Sequence, residues 1–120
     1  MSDEVADVLA DSREYLEKKG WWKGSILGPN GRQVCSIGAL LYSQGYDSDG
    51  DVHKDPLLRQ AVNRLAALAN DRPLNHPDRV CYSGVVISWN DAKERTKQEV
   101  LDLFSRAEKI ERNEGVDPDE

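Results

Sequence analysis

The strongest constraint on the fold is an apolar stripe in which Leu57, Leu58, Ala61, Val62, Leu65, Ala66, Leu68 and Ala69 recur at helical spacing. The stripe is broad enough to need two neighbours rather than one. Asp55-Pro56 marks its start, an N-cap acceptor followed by proline at the first helical position. The chain must therefore supply further helices to cover this one.

Three other segments qualify. Val5, Val8, Leu9, Tyr15 and Leu16 share a helix face, and Gly20 stands where a left-handed C-terminal cap stops it, so the first helix spans residues 3–19. Ile37, Ala39, Leu40, Leu41 and Tyr42 make a short buried helix from Cys35 to Gly45. Thr96-Lys97-Gln98-Glu99 is a capping box that opens a last helix with Val100, Leu101, Leu103, Phe104, Ala107 and Ile110 on its buried face, although Asp91 to Glu94 has the same spacing and competes as the start. Between the first two helices, Gly28-Pro29-Asn30-Gly31 separates two short apolar stretches and predicts a β-hairpin. Val85-Val86-Ile87 has β-propensity, but its length and Gly84 leave strand and helix both open. The pattern predicts a mainly α protein of about four helices with a small β-hairpin: one compact domain over residues 3–112 and an acidic, disordered tail over residues 113–120. At 120 residues such a domain buries roughly two-thirds of the extended chain's surface, enough for one core.

The 22 acidic and 16 basic residues leave a net charge of −6, which repels phosphate backbones and anionic lipid. Direct nucleic-acid binding is not expected, and a protein partner with a basic surface is the better match. No apolar run approaches the roughly 20 residues of a membrane span, and no basic-then-apolar leader opens the chain, so a cytoplasmic location is expected. Cys35 and Cys81 are then expected as reduced thiols.

Cys35 opens a helix, where free N–H groups and the dipole favour a thiolate, and Asn90 or Asp91 would orient a base drawn from His53 or His76. Its neighbours Val34, Ile37 and Leu40 argue instead for a buried structural cysteine facing the last helix. Cys35, His53, His76 and Cys81 lack the close-set pairs of a zinc site. Asp47, Asp49 and Asp51 alternate as in a calcium loop, but Val52 and Leu58 stand where glycine and glutamate belong, so neither metal nor cofactor is expected. Trp21 and Trp22 are adjacent aromatics after a helix stop, and one of them is expected outside the core as a binding anchor. Trp89, Asn90, Asp91, Arg95 and Thr96 read as a structural cluster at the entry to the last helix, with Trp89 in the core and Arg95 paired to Asp91.

Gly20-Trp21, the run Gly31-Arg32-Gln33-Val34-Cys35-Ser36-Ile37-Gly38-Ala39-Leu40, and Trp89-Asn90-Asp91 with Arg95-Thr96 and Glu99-Val100 form a distinctive set. On these motifs the chain, over roughly residues 5–108, resembles a family of small proteins of unknown function in actinobacteria and their phages, mycobacteriophages above all. The resemblance implies a cytosolic actinobacterial or phage-infected setting and assigns no residue a role. The reading is a non-enzymatic protein-binding module, a phage-encoded modulator of a host protein. The alternatives are a small cysteine-dependent enzyme using Cys35 with Asn90 or Asp91, and an acidic mimic of nucleic acid.

Overall fold

The computed structural model describes residues 3–25, 27–29, 31–46, 51–70 and 82–112. Helix α1, Asp3–Lys19, carries Asp3 and Glu4 in its first turn and Lys18 and Lys19 in its last, so both ends complement the helix dipole. Gly20 ends it at φ +97°, with its N–H on the Leu16 carbonyl. A side chain there would be strained, and its Cβ would come within 3.0 Å of Gln33 Cγ. Helix α2 is Ser36–Ser43, α3 a single turn Asp51–Lys54, α4 Pro56–Asn70, α5 Ser83–Asn90 and α6 Lys97–Arg112. Asp55 Oδ1 caps α4 by accepting from the N–H groups of Leu57 and Leu58 at 2.9 and 3.3 Å. At α6 the capping box closes in both directions: Thr96 N–H donates to Glu99 Oε1 at 2.9 Å, and Glu99 N–H to Thr96 Oγ1 at 3.2 Å.

Helices α1 and α6 share the most extensive packing surface, and α4 lies against α1, α5 and α6. The breadth of the α4 stripe is thus used on three sides. Phe104, Leu9, Leu16, Ile37, Leu40 and Leu65 are fully buried where these helices meet. Arg64 on α4 and Glu111 on α6 form an ion pair at 2.6 Å at the edge of this core.

Two expectations need correction. Among the described residues no hairpin ladder forms: Val34 makes isolated bridges, parallel to Trp21 and antiparallel to Leu27. Gly24 turns the chain at φ +92°, and its N–H goes to the Asp91 carboxylate instead of a ladder partner, so no second strand can align. The helix count also rises from about four to five helices of eight residues or more among the described residues, besides the single turn α3. The additional one is α5, where the β-propensity of Val85-Val86-Ile87 yields to packing: Val86 is fully buried, and α5 packs on α4 and α2. Tyr82 N–H, just before it, is held at 2.9 Å by Oδ1 of Asn63 on α4. His76, Cys81, Asp47 and Asp49 and the acidic tail, residues 113–120, lie outside the described residues.

Candidate functional site

The last residue of α5, Asn90, is fully buried and joins three segments distant in sequence. Its Oδ1 accepts from the Trp21 indole N–H at 2.7 Å, from the Ser36 N–H at 3.0 Å and from the Ser36 hydroxyl at 2.7 Å. Its Nδ2 donates to the Trp22 carbonyl at 3.1 Å and to Asp91 Oδ1 at 2.9 Å. The whole hydrogen-bonding capacity of the amide is engaged. The bond to the Ser36 N–H also satisfies one of the donors left free at the start of α2.

Around this hub the 20s loop is fastened to the end of α5. Asp91 Oδ1 accepts from the Gly24 N–H at 3.0 Å. Lys23 Nζ donates to the carbonyls of Ala92 and Lys93 at 2.8 and 2.9 Å, and stands 5.3 Å from the centre of the Trp21 ring. Trp22 is half-buried against Gly28, whose position leaves 3.2 Å from a would-be Cβ to Trp22 Cδ2. The Arg95 guanidinium lies 3.8 Å from the centre of the half-buried Trp89 ring, donates from Nε to the Trp89 carbonyl at 2.9 Å and pairs with Glu99 at 3.2 Å.

Cys35 is the N-cap of α2, and its Sγ accepts from the Gly38 N–H at 3.5 Å. It lines a cavity of about 220 Å³ whose other walls, among the described residues, are Gly24, Ser25, Ile87 and Asp91. Burial pushes the thiol above its ordinary range; the N–H groups of Gly38 and Ile37 counter this in part, and the Asp91 charge adds to the rise. The thiol is therefore protonated near neutral pH, and Asp91 stands across the cavity from it.

The structure thus gathers Trp21, Trp22, Cys35, Asn90 and Asp91 into one region, while Thr96 serves the start of α6. Cys35 opens towards the 20s loop and α5, where the sequence pointed to the last helix. Asn90 binds Trp21, Trp22 and Ser36 and does not cap α6. Arg95 pairs with Glu99 where Asp91 was expected. Trp21 and Trp22 are each half-buried, and among the described residues the large apolar side chains that are exposed are Leu27 and Ile87. Ser36, Gly24 and Ile87 escaped the sequence reading. The one available signal was the distinctive motif set, of which the run from Gly31 to Leu40 and the Trp89-Asn90-Asp91 segment here meet at Ser36 and Asn90.

Fold and hub define a small, mainly helical domain whose N-terminal loop, second helix and fifth helix are tied through one buried asparagine. The chain belongs to DUF6197, a family of unknown function whose model matches residues 1–110. No curated protein and no solved structure matches it.

Proposed function

We propose that the protein is a non-enzymatic protein-binding module whose contact face is the 20s loop together with the exposed side of α5. The observation that carries this reading is the setting of the cavity: the Asn90 amide beside it is wholly engaged in holding the fold, while the apolar Ile87 at its wall is 36% exposed. An exposed apolar side chain beside a preformed hollow is what a partner's anchor residue needs. Asn90, an orienting group in the cysteine-enzyme alternative, has no capacity left for a substrate or a base. A net charge of −6 favours a basic partner surface and speeds encounter with it. The resemblance noted from the motifs suggests a phage-encoded modulator of an actinobacterial host protein, acting in the host cytoplasm. Among the described residues, no helix is long and apolar enough to cross a membrane.

The test is affinity capture from a mycobacterial lysate by wild type and by Ile87→Asp, with thermal melting of both. The reading expects specific proteins lost from the variant at an unchanged melting temperature. Equal capture by the two, or no specific capture by wild type, overturns it.

A further inference from the structure

We propose that the cavity between the 20s loop and α5 is a socket for one basic side chain, lysine or arginine, projecting from the protein partner. The proposal rests on the binding-module reading above and names the chemistry of the contact. Size comes first: about 220 Å³ is smaller than the roughly 300–1,000 Å³ of sites for drug-sized ligands and cofactors, but holds the end of one side chain. The walls are of two kinds. Cys35 and Ile87 offer apolar surface for a methylene stem, and Asp91 offers a carboxylate for the cation at its tip.

That carboxylate makes no ion pair among the described residues. Its Oδ1 accepts from two neutral donors, the Gly24 N–H and the Asn90 amide, which fix its position without cancelling its charge. The neighbouring cations are directed elsewhere: Lys23 onto the carbonyls of Ala92 and Lys93, and Arg95 onto Glu99 and the Trp89 ring. A positioned anion in an apolar hollow discriminates by charge as well as by shape. The net charge of −6 carries the same sign as Asp91, so long-range attraction to the chain as a whole favours a basic partner.

The test is an amide-shift titration of the isotope-labelled full chain with three probes: the Nα-acetyl methylamides of lysine, arginine and norleucine. Norleucine carries the stem without the charge. The lysine and arginine probes are expected to shift the amides of Gly24, Ser25, Ile87 and Asp91, and to bind more weakly as salt rises. Asp91→Asn keeps an oxygen acceptor for Gly24 and Asn90, so its melting temperature should match wild type, while binding of the two basic probes should fall about three- to fivefold. Norleucine should bind more weakly than either and be indifferent to that substitution. Three results overturn the socket: norleucine binding as tightly as lysine, Asp91→Asn without effect, or no shifts at these four residues. Each leaves the Ile87→Asp capture experiment to decide the binding-module reading by itself.

Discussion

Replacing Asn90 with alanine tests the hub most directly. Ser36 is fully buried, so its N–H and its hydroxyl would each lose their Asn90 acceptor at a place water does not reach. Stranding a buried donor costs about 1–3 kcal/mol, so the two together cost roughly 2–6. Trp21 is half-buried and its indole N–H can turn to solvent, as can the groups bound by Nδ2, which adds little. The expected loss is about 4 kcal/mol, a large part of the roughly 5–15 kcal/mol that holds a domain together. With a urea slope of about 1–3 kcal/mol per molar, the midpoint falls by about 2 M. Far-UV circular dichroism is the probe of choice, because Trp21 fluorescence would respond to the substitution itself. Asn90→Asp adds a check of sign. It keeps the acceptor for Ser36 but turns a second oxygen towards the Trp22 carbonyl and Asp91, so its carboxyl holds a proton more tightly folded than unfolded. Its deficit against wild type should therefore be smallest below about pH 3.9, the ordinary aspartate value, and grow as pH rises through the raised folded value. A loss below about 1 kcal/mol for Asn90→Ala would refute the hub, and a deficit in Asn90→Asp that does not change with pH would refute the account of its geometry.

Further outcomes follow from the caps and the thiol. Thr96→Ala should cost about 0.5–2 kcal/mol in urea unfolding, and an unchanged midpoint would show that the capping box adds nothing to α6. The Tyr46 hydroxyl donates to Asp55 Oδ2 and, as the largest influence on it, holds that carboxyl below its ordinary value. The stability this bond confers is present above about pH 3.9 and is lost as pH falls through the lowered folded value, so Tyr46→Phe should be less stable than wild type at pH 7 by a gap that narrows as pH falls below about 3.9; a gap that stays constant into acid contradicts this. Cys35 in the native protein should react slowly with a bulky thiol reagent, as read by peptide mapping, and Cys35→Ala should cost about 1 kcal/mol. Rapid native modification at Cys35 would restore the enzyme alternative.

What the sequence made legible was local. The stripes of α1, α4 and α6, the Asp55-Pro56 start and the Thr96–Glu99 box each depend on residues within a few positions of one another, and each appears as expected. Asn90 was hidden because a polar residue after an apolar run reads as a cap, whereas its partners lie 54 and 69 residues away. Val85 to Ile87 stayed open between strand and helix for a related reason: the segment is fixed by burial of Val86, which no local signal announces. The hairpin failed because the Gly24 N–H is claimed by Asp91, 67 positions along the chain.

The pairing of the first helix with the last also has a consequence for synthesis. The apolar face of α1, with Val5, Val8 and Leu9, leaves the ribosome ahead of the helices that cover it, and the largest of those covers, α6, Lys97–Arg112, follows last. At about 5–20 residues per second, that face waits roughly 5–20 s for its partner. Until then α2 and α4 can cover only part of α1, and the share of its apolar face that packs on α6 stays open, a ready client for holding chaperones. Chains truncated before residue 97 should remain in that state and be cleared by proteases, so this domain completes its fold only when nearly the whole of it has been made.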